Sequence, residues 1–201
     1  MKSNEISLDG FTCKDEGEAW LAMKSGDTRA LIFFYTRYFN NLYDYGTRIT
    51  CNKALAEDCI QDLFTEFWSK REGLSEVKFI KQYLFKSLRR KIVYKMSRDS
   101  KVSSGNGDLV FFELELSHKT HYLNQQINVD TRKKLIELIE TLTPRQREAI
   151  FLIFYEELSY EATSLVMELK VKTIYNLVHM AIAKLRERKE HLSMPLLNLF
   201  L

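Results

Sequence analysis

Residues that interrupt regular structure are scarce in this 201-residue chain, which holds seven glycines and two prolines, Pro144 and Pro195. So few breakers favour helices joined by short turns over an architecture of many strands. Apolar residues make up 45% of the chain and aromatic residues 12%, which is enough to build hydrophobic cores. We therefore predict a fold that is nearly all α.

Apolar residues recur at helical spacing through the first hundred positions. Asp27 is placed to cap a helix that starts near Thr28, and two further helices are predicted from Lys53 to Lys70 and from Lys78 to Arg98. The predicted core positions are Leu31, Phe34, Tyr35, Tyr38, Leu42 and Tyr45 in the first of these helices, Ala56, Ile60, Leu63 and Phe67 in the second, and Ile80, Leu84, Leu88 and Ile92 in the third.

A change of composition marks a domain boundary in the middle of the chain. The segment SRDSKVSSGNGD is rich in Ser, Gly and Asn and has no apolar stripe. A structureless stretch of about 30 residues is unusual inside one domain, so we predict two small helical domains joined by a flexible linker. The predicted parts are a flexible tail at 1–17, a first domain at 18–100, the linker at 101–130, a second domain at 131–191 and an apolar tail at 192–201.

Two helix starts in the second domain carry capping signals. Thr143, Pro144 and Gln146 have the order of a capping box with proline at the first helical position. Ser159 is the expected cap of a short helix that follows.

A tight turn over residues 168–170 then leads into a last helix from Val171 to about Glu190, and this pair of helices suits a helix-turn-helix. In that motif the start of the second helix enters the major groove of DNA. Asn176 can bond an adenine edge there, and Lys172 a guanine edge or a phosphate. From residue 170 to 189 six basic residues stand against one acid, a net charge of +5. The alternative is an ordinary helix pair with a basic surface.

The segment from Lys78 to Lys101 is more strongly charged, with nine basic residues against one acid, a net charge of +8. Such a run favours a polyanionic partner. Its aromatic residues are Phe79, Tyr83, Phe85 and Tyr94. Rings beside cations suit the binding of unpaired nucleic acid bases, but Tyr83 and Phe85 are better explained as core residues.

Other chemistries have little support in the sequence. Cys13, Cys51 and Cys59 have neither the spacing of zinc ligands nor that of a disulfide framework, and we expect reduced thiols. His118 and His121 have no Cys or acidic cluster beside them, so no metal site is predicted. No cofactor, catalytic or nucleotide-binding motif is found. Without a secretion signal or an apolar run of about 20 residues, the protein is predicted to be cytoplasmic, without membrane insertion and without enzymatic activity or a small-molecule substrate.

Several sequence blocks resemble the sigma factors of bacterial RNA polymerase, in particular their extracytoplasmic-function (ECF) group. AEDCIQDLFTEFW, which starts at Ala56, is similar to the helix with which sigma factors bind the polymerase clamp. YLFKSLRRKIVYKMSR, which starts at Tyr83, resembles the helix that melts and recognises the −10 element. LTPRQREAIFL and LSYEATSLVMELKVKTIYNLVHMAIAKLR resemble the domain that recognises the −35 element. The likeness covers about residues 18–190.

The resemblance implies roles for the residues that match, with core RNA polymerase and promoter DNA as partners and an anti-sigma factor as a further partner. The polymerase-binding residues would be Asp58, Gln61, Asp62, Phe64 and Trp68. The −10 DNA-binding residues would be Tyr83, Lys86, Arg89, Arg90, Tyr94 and Arg98. The −35 DNA-binding residues would be Lys170, Lys172, Thr173, Tyr175, Asn176 and His179, on a helix-turn-helix domain of the winged-helix-like, sigma region 4 type.

This chain departs from the family pattern at several of these positions. The family usually has Asn and Asp where Arg90 and Tyr94 stand, and Arg where Met180 stands. Glu168 replaces a small turn residue, usually Gly, and is poorly suited to a positive φ. Lys170 replaces a Ser and cannot cap a helix with its side chain.

The sequence is therefore interpreted as a two-domain sigma factor of the ECF type that directs core polymerase to specific promoters. Two alternatives stay open. A stand-alone helix-turn-helix regulator would bind duplex DNA without polymerase, and a degenerate sigma-like interaction protein would sequester polymerase or another factor.

Overall fold

The computed structural model describes residues 6–8, 11–75, 77–99, 112–113 and 137–187. The chain divides into two compact units, Met1–Ser103 and Ser104–Leu201. Each unit is helical in its described part apart from one short β-hairpin in the first. The predicted all-α fold with two helical domains is confirmed.

The first unit opens with strands β1 (Ile6–Leu8) and β2 (Phe11–Cys13), which pair antiparallel. The predicted flexible tail at 1–17 is corrected over residues 6–8 and 11–17, which hold these strands and the start of a helix, and the rest of that tail lies outside the described residues. Phe11 and Cys13 alternate onto one side of β2 and are buried, and the Phe11 ring lies 5.8 Å from that of Phe33. Period-two burial of these two apolar side chains explains why β2 packs against the first unit.

Four helices follow in the first unit: α1 (Glu16–Lys24), α2 (Thr28–Thr50), α3 (Lys53–Ser69) and α4 (Ile80–Asp99), with a short 3-10 turn at Arg71–Gly73. Side chains cap the first three. Asp15 accepts from the backbone N–H of Glu18, and Asp27 accepts from that of Arg29. Asn52 accepts from the N–H of Leu55. These caps satisfy donors that have no partner inside the helix.

The core of the first unit lies between α2, α3 and α4. All eight predicted core positions of α3 and α4 are buried, because their i, i+3, i+4 spacing gives each helix one apolar side. In α2 the stripe is shifted: Phe33 is buried, whereas Leu31 is half-buried and Tyr35 is 37% exposed. Gly46 brings α2 close to α3, since a Cβ there would lie 3.2 Å from that of Ala56.

An aromatic cluster joins α1 to α3 and α4. The Tyr83 ring stacks on that of Phe67 with centroids 5.2 Å apart, and the Trp20 ring meets both in edge-to-face geometry. The indole N–H of Trp20 also donates to the carbonyl of Ser75 at 3.2 Å. The loop before α4 is thus fastened to the core.

The described part of the second unit contains α5 (Pro144–Ile150), a π-helical segment at Phe151–Tyr155, α6 (Tyr160–Met167) and α7 (Val171–Glu187), and a helical turn at 137–140 precedes α5. The predicted capping box is present in full. The Thr143 hydroxyl accepts from the N–H of Gln146, whose side chain accepts from the N–H of Thr143. The predicted cap of α6 is present too, since the Ser159 hydroxyl accepts from the N–H of Ala162 at 3.1 Å.

One residue of the predicted linker belongs to the second unit's core. Phe112 is 1% exposed, and its ring lies 5.6 Å from that of Phe151, which stacks in turn on Tyr155. The prediction of a flexible linker is therefore corrected at this position, because the apolar ring has a partner to pack on. Apart from 112–113, the predicted linker lies outside the described residues, as does the apolar tail at 192–201.

Candidate functional site

The solvent side of α3 is acidic. We define this acidic face by its exposed residues, which are Glu57, Asp58, Gln61, Asp62, Thr65 and Glu66. Three of the five predicted polymerase-binding residues, Asp58, Gln61 and Asp62, lie on it. Their spacing of three and four places them on one side of the helix, opposite the apolar stripe.

The two aromatic members of the predicted polymerase-binding set lie elsewhere. Phe64 is 5% exposed and its ring packs 5.1 Å from that of Tyr35. Trp68 is half-buried, and the Arg71 guanidinium lies 4.6 Å from its ring while donating to the Trp68 carbonyl. The Phe64 side chain therefore packs α3 into the core of the first unit and does not contribute to the exposed side of that helix.

Two ion pairs join the acidic face to α4. The ammonium of Lys95 lies 2.7 Å from the Asp62 carboxylate, and that of Lys91 lies 3.1 Å from Glu66. The hydrogen bond from Lys95 lowers the pKa of Asp62, and the same bond raises the pKa of Lys95. The two ion pairs thus neutralise part of the +8 charge of the segment from Lys78 to Lys101.

Further basic residues of α4 lie along its solvent-facing surface. We define the basic face as Lys86, Arg89, Arg90, Tyr94 and Arg98, of which Arg90, Tyr94 and Arg98 are exposed and the other two half-buried. The spacing of four between Lys86, Arg90, Tyr94 and Arg98 forms a row along the helix. The Arg98 guanidinium lies 5.8 Å from the Tyr94 ring, which is 61% exposed.

The four aromatic residues of the basic segment divide into two kinds. Phe85 is fully buried, and Tyr83 is half-buried in the stack on Phe67, so both serve the core as the sequence favoured. Phe79 and Tyr94 are each 61% exposed. Of the predicted −10 residues, Tyr83 is the one whose ring packs in the aromatic cluster with Trp20 and Phe67.

The helix-turn-helix of the second unit turns at Glu168. This residue adopts the left-handed conformation, with φ 56° and ψ 40°. The Ser164 carbonyl accepts from the N–H groups of both Glu168 and Leu169. The bond from Leu169 is the 6→1 bond of a Schellman motif, and the bond from Glu168 is the 5→1 bond of a left-handed helix cap. The Lys170 carbonyl accepts from the N–H of Thr173 at 2.8 Å, so Lys170 bonds to the first turn of α7 through its backbone. Its side chain has no acceptor atom with which to cap the helix.

The solvent side of α7 carries most of the predicted −35 residues. We define the recognition face as Lys172, Tyr175, Asn176 and His179, all exposed, at i, i+3, i+4 and i+7. Lys170 is exposed just before the helix, and Thr173 is half-buried beside it. The opposite side packs into the unit through Ile174, Val178 and Ala181.

Tyr175 has a partner that the sequence did not reveal. Its ring lies parallel to that of Tyr160 in α6, with centroids 4.1 Å apart and an angle of 5° between the planes. The sequence named Phe79 among the aromatic residues of the basic segment but gave it no role of its own, and it did not predict the positive φ of Glu157, 54°.

Other kinds of site lack support in the described part of the chain. No group of three or more His, Cys, Asp or Glu side chains that could hold a metal ion occurs among those residues, and His118 and His121 lie outside them. None of the three cysteines, all of them described, forms a disulfide, and burial raises the pKa of Cys59. Within the same residues, no helix has the length and apolar character needed to cross a membrane.

Two family models match this chain in the order of its two units. The model described as Sigma-70 region 2 matches residues 34–102, and that described as Sigma-70, region 4 matches residues 132–185. Together they cover more than half of the 201 residues. The chain belongs to the sigma-70 family of transcription initiation factors.

A known relative places it further within that family. The ECF RNA polymerase sigma factor SigM of Bacillus subtilis (strain 168) is 25% identical over 137 residues, which are 67% of this chain and 80% of SigM. The two matched regions and this relative support the ECF group, as the sequence resemblance predicted. Like other sigma factors, the protein directs RNA polymerase to promoters.

Two solved structures share the fold. CnrH in complex with the cytosolic domain of CnrY has a TM-score of 0.57 and 19% identity, over 89% of this chain and 99% of that one. The sigma factor RpoE in complex with the anti-sigma factor NepR from Bartonella quintana has a TM-score of 0.54 and 21% identity, over 79% of this chain and 96% of that one.

Proposed function

We propose that the acidic face of α3 binds core RNA polymerase, that the basic face of α4 holds the −10 region as it melts, and that the recognition face of α7 binds the −35 region. The observation that carries this division is the separation of charge between two adjacent helices. α3 presents acids to solvent, and α4 presents a row of cations with an exposed ring. A protein partner and a polyanion can thus be bound side by side.

The polymerase contact is proposed to centre on Asp58 and Gln61. Both are exposed, whereas Asp62 is engaged with Lys95 and Phe64 is in the core. A charge at a rim contact mainly affects association and its salt dependence, and its reversal against a complementary patch costs affinity.

The test is assembly of holoenzyme from core polymerase and the full chain. Asp58→Arg is expected to weaken assembly at least tenfold, which corresponds to about 1.4 kcal/mol. Glu72→Arg is the matched control, because Glu72 is an exposed acid of the same unit outside α3. Equal assembly of both variants and the parent would overturn the polymerase-binding role of the acidic face.

The −10 contact is proposed to combine phosphate binding by Lys86, Arg89, Arg90 and Arg98 with stacking by Tyr94. Stacking of a base on an aromatic side chain contributes about 1–3 kcal/mol per base, which can offset the opening of a few base pairs. The double variant Arg89→Ala, Arg90→Ala is expected to form less open complex, with a shallower salt dependence of binding.

Lys53→Ala is the control for that experiment, because Lys53 is an exposed cation of the same unit at the start of α3. It is expected to leave open-complex formation at the level of the parent. Melting by the double variant that equals melting by Lys53→Ala contradicts the role of the basic face.

The −35 contact is proposed to lie along the recognition face. Lys172→Ala and Asn176→Ala should each weaken transcription from promoters that depend on the −35 element, by about 1–3 kcal/mol for the lost base contact. If the chain is instead a stand-alone helix-turn-helix regulator, the full chain should bind these promoters without polymerase. If the chain is instead a degenerate sigma-like interaction protein, Lys172→Ala and Asn176→Ala should both function as the parent does.

The protein is proposed to act in the cytoplasm, where polymerase and promoters meet, and to have no catalytic chemistry of its own, since polymerase performs RNA synthesis. An anti-sigma factor is proposed as a further partner. The support is the likeness to RpoE, whose structure was solved with the anti-sigma factor NepR.

A further inference from the structure

Tyr160 and Tyr175 form the closest parallel ring stack among the described residues. Their centroids lie 4.1 Å apart and their planes differ by 5°. The two residues belong to different helices of the helix-turn-helix, Tyr160 to the first turn of α6 and Tyr175 to the second turn of α7. The stack therefore connects the helix that precedes the turn with the proposed DNA-binding surface.

Tyr160 is the more firmly placed of the two rings. It directly follows Ser159, whose hydroxyl accepts from the N–H of Ala162 at 3.1 Å and so fixes the start of α6. Ala162 and Thr163, one turn further on, are buried. The side chain of Tyr160 is itself half-buried.

Tyr175 is the more exposed ring. It keeps 50% of its surface exposed although Tyr160 covers one side of it. It shares the recognition face with Lys172, Asn176 and His179, which are all exposed. The uncovered part of the ring is therefore presented beside the side chains that we assign to the −35 contact.

A side chain that is held before its partner arrives loses less conformational entropy on binding, and its orientation can select among ligands. A tyrosine ring that turns freely contacts many base sequences about equally well. Fixed against a second ring, it fits some base-pair edges and methyl groups better than others. The stack thus favours discrimination over general affinity.

We propose that Tyr160 is a positioning residue for promoter recognition: it holds Tyr175 in the orientation that discriminates among base pairs of the −35 element. This rests on the proposed −35 role of the recognition face. Tyr160 acts through Tyr175 and through its ring, so its hydroxyl group is not required.

The test uses holoenzyme assembled with the full chain and a promoter library randomised across the −35 element. Tyr160→Leu removes the stacking ring, and Tyr160→Phe keeps it. We expect Tyr160→Leu to lose about fivefold in preference at one or two base-pair positions, the lower end of the effect of a mismatched base pair. Tyr175→Ala should lose preference at the same positions, and Tyr160→Phe should retain that of the parent.

Two further readouts and one condition of the experiment distinguish positioning from a loss of structure. The salt dependence of binding should equal that of the parent in Tyr160→Leu, because no phosphate contact is removed. The double variant Tyr160→Leu, Tyr175→Ala should be no worse than Tyr175→Ala alone. All comparisons are made below the melting transition of every variant, so a less stable variant is still tested in its folded form.

Parental preferences in Tyr160→Leu together with altered ones in Tyr175→Ala overturn the positioning role and leave the −35 role intact. Unaltered preferences in both, with altered ones in Lys172→Ala and Asn176→Ala, also overturn it, because Tyr175 then makes no selective contact. Unaltered preferences in all four variants overturn the proposed −35 role itself.

Discussion

Replacement of Glu168 by glycine should stabilise the second unit, because the turn of the helix-turn-helix places this residue at φ 56°. In the left-handed region the Cβ of an L-residue approaches the neighbouring carbonyl oxygen, at a cost of about 1–2 kcal/mol. Glycine avoids that strain but loses more conformational freedom on folding, about 0.5–1 kcal/mol. The expected net gain is about 0.5–1 kcal/mol.

Glu168→Ala is the matched control, because alanine keeps the Cβ. Both variants lack the carboxylate, so the difference between them isolates the backbone conformation. The alanine variant is expected to stay within about 0.5 kcal/mol of the parent, as surface substitutions usually do. The glycine variant should unfold at a temperature about 2–8 °C higher than the alanine variant, from the usual relation between stability and melting temperature of a small domain.

The positions of the tryptophans allow the two units to be followed separately. Trp20 and Trp68 are the two tryptophans of the chain, and both lie in the first unit. Tryptophan fluorescence therefore reports the unfolding of that unit, whereas far-ultraviolet circular dichroism reports both. The higher melting temperature of the glycine variant should therefore appear in the circular dichroism transition of the second unit, and the transition followed by tryptophan fluorescence should not move. Equal melting of the glycine and alanine variants would refute the strain argument.

Three further predictions concern stability. Thr143→Ala, which removes the capping box, should destabilise the second unit by about 1 kcal/mol, and Thr143→Ser should restore it, as measured by urea unfolding. Phe112→Ala should cost about 3 kcal/mol in the same assay because the ring is buried against Phe151, whereas a solvated linker residue would cost less than about 0.5 kcal/mol. Lys95 lowers the pKa of Asp62 in the folded state, so the stabilisation is present above the unfolded pKa of about 3.9 and is lost as pH falls through the depressed value. The stability difference between parent and Asp62→Asn should therefore shrink below about pH 4, and a constant difference down to pH 2 contradicts the ion pair.

The sequence alone determined the helices and their inner sides. The eight core positions predicted in α3 and α4 are all buried, because helical periodicity is a local property that the order of residues specifies directly. The caps at Thr143 and Ser159 were predictable for the same reason, since donor and acceptor lie within three residues of each other. The family resemblance added the order of the two units.

What only the tertiary structure decided depends on contacts between residues far apart in the chain. The net charge of the basic segment gave no indication of a partner within the chain, and only the packing of α3 on α4 brings Asp62 against Lys95. The sequence assigned Phe112 to the linker, and only the structure shows that its ring packs on Phe151. Tyr175 read as an isolated DNA contact, and its stack on Tyr160 depends on how α6 crosses α7. Periodicity specifies the side of a helix on which a residue lies, but the partner on that side is set by how the helices pack.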